Sequence, residues 1–155
     1  MKQNQLLRAL RIDKMSMAVL EATFRLYLDE QQAIERIPTL RMISLSAEEC
    51  KAKAERLACM LKQDCPHMQV EVVPDTSAIG GGSYPEHELP GYVVSLQCPA
   101  YMANDLEERL RHSETPIISR IKKDQVYLDV RTIDDGEFSS IAQAVQVIDE
   151  NGKYE

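Results

Sequence analysis

The segment 12–28 constrains this chain more than any other. It runs without Gly or Pro, and its apolar residues fall at helical spacing on two stripes. Met15, Ala18, Val19, Ala22 and Leu26 make one stripe; Met17, Leu20, Phe24 and Leu28 make the other. A helix apolar on a single stripe lies on a surface, whereas one apolar on two stripes is sandwiched. Glu21 and Arg25 stand four residues apart and give local support. Such a helix asks for more protein on its far side than a small domain supplies.

The pattern after it stays helical for some distance. A short piece over 30–37 is stopped by Pro38, and Thr39 can cap another turn or two through Ile43. Ser46-Ala47-Glu48-Glu49 has Ser at the N-cap and Glu at N3, a capping box, and the helix it opens carries Cys50, Ala54, Leu57, Ala58 and Leu61 on one face. Beyond Cys65-Pro66 the period changes. Residues 68–73 alternate as a strand, Gly80-Gly81-Gly82 punctuates a loop, and 92–96 is a β-rich run between prolines. A helix over 102–111 precedes a hairpin built from 116–121 and 126–130, and a last amphipathic helix covers 137–149. The order predicts an α+β fold: a small, largely antiparallel sheet with helices on one face, preceded by a long N-terminal helix.

The chain has 155 residues, room for one ordinary domain with a real core. Its apolar fraction of 44% and charged fraction of 28% are those of a globular protein. No apolar run reaches the roughly 18–20 residues of a membrane span, and residues 1–5 are polar, so the expected location is the cytoplasm. None of the cysteines (Cys50, Cys59, Cys65, Cys98) forms a C-x-x-C pair, and in a reducing compartment they read as core or surface thiols. The charge of −7 argues against broad nucleic-acid binding. It is unevenly spread: in residues 1–14, Lys2, Arg8, Arg11 and Lys14 face Asp13 alone, a net of +3 that leaves −10 for the remainder.

Several motifs reduce to ordinary readings. The glycine run lacks the Lys-Ser/Thr of a phosphate loop, and Cys59, Cys65 and His67 match no metal-ligand spacing, so no metal site is expected. His87 and His112 sit in polar stretches, and Asp134-Asp135 and Glu107-Glu108 read as solvated charges. No nucleophile–base arrangement can be assembled. Arg120 and Arg131 each lie near the end of a predicted strand among apolar residues, where a charge needs a partner; a salt bridge or strand-edge charge is the plain reading. Arg8 and Arg11 are the sharpest pair. If the segment around them is helical they stand one turn apart, and two guanidinium forks can grip one oxyanion. Lys14 rotates further off and is a weaker member. The alternative is a solvated basic face.

These residues also carry a family likeness. Leu7-Arg8-Ala9-Leu10-Arg11-Ile12-Asp13-Lys14-Met15, then Leu20-Glu21-Ala22-Thr23-Phe24-Arg25-Leu26-Tyr27-Leu28, resembles the C-terminal part of bacterial selenocysteine synthase, the L-seryl-tRNA(Sec) selenium transferases. The likeness continues through Ile37-Pro38-Thr39-Leu40-Arg41-Met42, Ile79-Gly80-Gly81-Gly82-Ser83, Glu88-Leu89-Pro90, Pro116-Ile117-Ile118-Ser119-Arg120-Ile121 and Leu128-Asp129-Val130-Arg131-Thr132, in the family's order.

The resemblance implies a pyridoxal phosphate enzyme of fold type I that converts seryl-tRNA(Sec) to selenocysteinyl-tRNA(Sec) with selenophosphate, working as a homo-oligomer. It implies that Arg8 and Arg11 bind the donor's oxyanion. Arg131 resembles the small-domain arginine that fold-type I enzymes aim at a substrate carboxylate, although that carboxylate is esterified in an aminoacyl-tRNA. The family's Schiff-base lysine block is absent, so this chain reads as a C-terminal fragment, expected to bind no cofactor and to be inactive alone. Residues 1–45 would then link to the absent large domain, 46–150 would form the small domain, and 151–155 would be a frayed tail. With that large domain missing, one stripe of 12–28 should be exposed, which predicts self-association or fraying. Two other readings stay open: a related pyridoxal phosphate lyase, and a non-catalytic interaction module.

Overall fold

A computed structural model describes residues 10–79 and 88–152. Arg8, the glycine run at 80–82, His87 and the tail beyond 152 lie outside the described residues. The chain divides into two compact units, Met1–Ser44 and Leu45–Glu155.

The first unit is helical. Helix α1 spans Lys14–Leu26, α2 spans Glu30–Arg36 and α3 spans Pro38–Ser44. Asp13 starts α1 by accepting hydrogen bonds from the Met15 and Ser16 amides at 2.8 and 3.0 Å, and Asp29 caps α2 in the same way. Pro38 ends one helix and opens the next, since a proline at the first helical position gives up an amide that has no helical partner anyway. Ala33 is the single buried residue among those described in this unit. The expected exposure of one stripe of 12–28 is exceeded. Met15 on one stripe is 78% exposed, and Phe24 and Leu28 on the other are 65% and 87% exposed.

The second unit is the α+β domain. Helix α4, Ala47–Asp64, carries the expected capping box: the Glu49 amide donates to Ser46 Oγ, and the Ser46 amide and hydroxyl donate to Glu49. Strands β1 (Gln69–Ala78) and β2 (Glu88–Gln97) pair antiparallel from Gln69↔Gln97 to Ala78↔Glu88. Helix α5 (Ala103–Arg111) follows, then β3 (Arg120–Lys122), β4 (Gln125–Asp129), a 3₁₀ turn at Asp135–Glu137 and α6 (Phe138–Asn151). The sheet order is β1-β2-β4-β3 and every neighbouring pair is antiparallel. The β3–β4 turn places both Lys123 and Asp124 at positive φ, 53° and 59°, as a tight hairpin with right-handed strand twist demands.

One face of the sheet holds the core. Val70, Val94, Leu96, Val126 and Leu128 meet Leu57 and Leu61 of α4, Leu106 and Leu110 of α5, and Phe138, Ile141 and Val145 of α6. The strand expected over 116–121 is shorter than predicted. Pro116 has no amide to offer a ladder, and the Ile117 amide donates back to Leu110 O at 2.9 Å while its side chain enters the core, so pairing begins only at Arg120.

Candidate functional site

The basic N-terminal segment and the helix that follows it form the first candidate. Asp13 sits at the N-cap, so Arg11 and Ile12 precede α1 instead of belonging to it. The helical register that would stack Arg11 on Arg8 is therefore not present at 10–13. Arg11 and Lys14 are both exposed. Lys14 stands at the positive end of the helix dipole, where a cation gains nothing from the helix and adds to an anion-attracting potential. The Asp13 carboxylate, its pKa lowered first by the Ser16 hydroxyl and then by backbone amides, already uses the Met15 and Ser16 amides. An oxyanion arriving here must be held by side chains, not by the helix terminus. Directly after this basic end, Ile12, Met17, Leu20, Phe24 and Leu28 line an apolar groove along α1, edged by the Glu21–Arg25 ion pair at 2.8 Å.

Arg131 occupies a different kind of place. It is 5% exposed, and its Nη1 donates to Leu45 O at 2.8 Å and its Nη2 to Pro90 O at 2.9 Å. Its backbone amide donates to Asp129 Oδ1 at 3.1 Å. The guanidinium thus joins the start of α4, strand β2 and the end of β4. Gly91 makes room for it: a Cβ there would stand 3.2 Å from Arg131 Nη2 and 3.6 Å from Cys50 Sγ. Burial pushes the Cys50 thiol pKa up against the lowering effect of Arg131, so this thiol stays protonated and inert.

Arg120 has the partner its strand position calls for. On the sheet face opposite the helices its Nη2 meets Asp75 at 2.8 Å and Asp129 at 3.3 Å, while Lys122 also pairs with Asp75 and Ser77 Oγ donates to Asp129 at 2.6 Å. The acceptors for Arg131 are not legible in the sequence, because Leu45 and Pro90 contribute backbone carbonyls that no side-chain pattern marks. Gly91, a small residue between Pro90 and Tyr92, was the one available signal.

No group of three or more His, Cys, Asp or Glu among the described residues is placed to hold a metal. Nor do the described lysines form a seat for an aldehyde cofactor. Lys53 is committed to Ile133 O and Asp135, Lys122 to Asp75, Lys51 lies over the Tyr92 ring at 5.7 Å, and Lys14, Lys62 and Lys123 are exposed. None of these described lysines is both sheltered and unpaired, as a Schiff-base lysine needs to be.

Fold and surface together define a class: a small α+β domain joined to a helical arm whose apolar side has no partner within the arm. The family model for SelA, L-seryl-tRNA selenium transferase, matches residues 1–134, and the chain belongs to that family. It is 47% identical over 143 residues to the L-seryl-tRNA(Sec) selenium transferase of Clostridium botulinum strain Hall, covering 92% of this chain and 31% of that protein. The enzyme of the same name from Alkaliphilus oremlandii is 42% identical over 144 residues, 93% of this chain. The one from Nitratidesulfovibrio vulgaris is 44% identical over 146 residues, 94% of this chain. In each case the chain spans about a third of the relative's length (31%).

Proposed function

We propose that this chain acts as the C-terminal part of an L-seryl-tRNA(Sec) selenium transferase, the enzyme that converts seryl-tRNA(Sec) to selenocysteinyl-tRNA(Sec) with selenophosphate in the cytoplasm. The observation that carries the reading is the family match over residues 1–134 at 42–47% identity to relatives of that name. Pyridoxal phosphate, which serves this chemistry as an electron sink, belongs in the proposal to the part of the enzyme that supplies a Schiff-base lysine.

The role given to this chain is binding and positioning. Arg8, Arg11 and, more weakly, Lys14 hold the oxyanion of the selenium donor at the edge of a site completed elsewhere. Charge-assisted, bidentate contacts from arginine suit a tetrahedral oxyanion. The apolar face of α1 packs against the remaining part of the enzyme, which accounts for a helix apolar on two stripes and exposed on both. Arg131 acts as a strut under this reading, since both terminal nitrogens already donate to backbone carbonyls. With −10 of charge beyond Lys14, the tRNA is bound mainly by other parts of a homo-oligomeric assembly.

Two proteins test the proposal: the chain alone, and a chimera in which it replaces the corresponding part of the Clostridium botulinum relative. Selenium transfer to seryl-tRNA(Sec) is expected from the chimera and not from the chain alone. A soluble, cofactor-loaded chimera without activity would count against the assignment and favour an interaction module. Transfer by the chain alone would overturn the division of labour.

A further inference from the structure

Three chain turns meet at one end of the sheet: the turn after α4, the turn after β2 and the last turn of α6. Between them is a pocket of about 390 Å³ lined by His67, Cys98, Pro99, Ala100, Asp149 and Gly152. Its wall is tightly built, since a Cβ on Gly152 would stand 3.2 Å from Ala100 Cβ. Asp149 is 2% exposed. Its Oδ2 accepts the His67 backbone N–H at 3.3 Å, whereas its Oδ1 is buried with no hydrogen-bond partner among the described residues.

A buried carboxylate oxygen left without a donor is costly, and native proteins satisfy such atoms with a ligand, an ion or an ordered water. The surroundings select among these. Helices α4 and α6 both end here, so two negative dipole ends converge. Asp64 and Glu150 add charge, and the last turn of α6 contains no basic residue. The same charges act on the neighbouring Cys65 thiol. Burial first, then the charges of Asp149, Asp64 and Glu150, push its pKa up to about 12.

We propose that this pocket is a binding site for a primary ammonium group, whose N–H donates to Asp149 Oδ1 while its aliphatic stem lies along Cys98, Pro99 and Ala100. A metal is disfavoured because no ligand set of three is present among the described residues. A guanidinium fork asks for both carboxylate oxygens side by side, and Oδ2 already takes the His67 amide; an ammonium is a compact point donor. The ammonium is that of a free alkylamine, a charged head on an aliphatic stem.

The test is a titration of the isotope-labelled 155-residue chain with n-butylammonium chloride, followed through the His67 and Gly152 amide resonances, with tetramethylammonium chloride at equal ionic strength as control. Saturable shifts with butylammonium alone are expected, and Asp149→Asn weakens the apparent affinity roughly tenfold or more. Equal shifts with tetramethylammonium, a linear response, or an unaltered response in Asp149→Asn would overturn the site and leave an ordered water on Oδ1. The comparison of the two cations on the unmodified chain decides the matter even if the Asn variant does not fold.

Discussion

Arg131 Nη1 lies 2.8 Å from the carbonyl oxygen of Leu45, a residue 86 positions earlier in the chain. With the second contact to Pro90 O, this arginine fastens the start of α4 to the sheet from the end of β4. Replacing it with Met removes both donors and strands two carbonyls, so the chain is expected to lose about 3 kcal/mol of stability in urea unfolding. Arg131→Lys keeps the charge but reaches only one carbonyl, and its loss should be intermediate. A Met variant as stable as the parent would show that the contacts are dispensable.

Thiol accessibility gives a second prediction. Cys50, Cys65 and Cys98 are buried, and burial raises the pKa of both Cys50 and Cys65, the latter to about 12. Only Cys59 is exposed. A disulfide reagent at pH 8 should find one fast thiol in the native chain and four after unfolding, and Cys59→Ser should remove the fast phase. Two or more fast thiols would contradict the packing at the ends of α4.

The charge cluster around Asp75, on the sheet face opposite the helices, sets an acid limit. Burial by itself raises the Asp75 pKa, but the Lys122 hydrogen bond, the Thr76 backbone and the charges of Arg120 and Lys122 outweigh it, and the net shift is downward. The folded state therefore holds this proton less tightly than the unfolded state. The contribution is complete above the unfolded pKa, about 4, and is lost as pH falls through the lower folded value. Asp75→Asn should flatten the stability–pH curve below about pH 4, leaving the slope due to Asp13, Asp29 and Glu49, whose pKa values are also lowered. Parallel curves for variant and parent would refute the pairing.

Exposure along α1 predicts association. Phe24 and Leu28 belong to a groove of apolar residues with no cover in the first unit. Sedimentation of the chain should show concentration-dependent self-association, and Phe24→Asp should shift the population toward monomer without loss of helix by circular dichroism. A parent chain monomeric at high concentration would contradict the expectation.

The elements were legible in the sequence where side chains carry the signal. The capping box at Ser46 and Glu49, the Pro38 break, the alternation over 68–73 and the β-rich run 92–96 each marked an element, although β1 runs on to Ala78 and β2 already begins at Glu88. The segment 116–121 misled because Ile117 enters the core from a backbone that bonds to α5, which leaves only its last residues to pair. The partners of Arg131 were hidden because they are carbonyls. Asp149 was hidden because an acid near the end of an amphipathic helix reads as solvated, and only tertiary packing buries it. The basic segment was visible as charge, but the Asp13 cap that sets the start of α1 alters the geometry expected of Arg11.

The central claim is that this chain supplies the oxyanion-holding arginines of a selenium transferase site. The most direct measurement compares the chimera with its Arg8→Ala, Arg11→Ala form in selenium transfer to seryl-tRNA(Sec), with selenophosphate varied and the bound-cofactor absorbance recorded. The expected result is a fall of about a hundredfold or more in kcat/KM for the donor with the absorbance retained. Equal activity in the two proteins would contradict it and return both arginines to a solvated basic face.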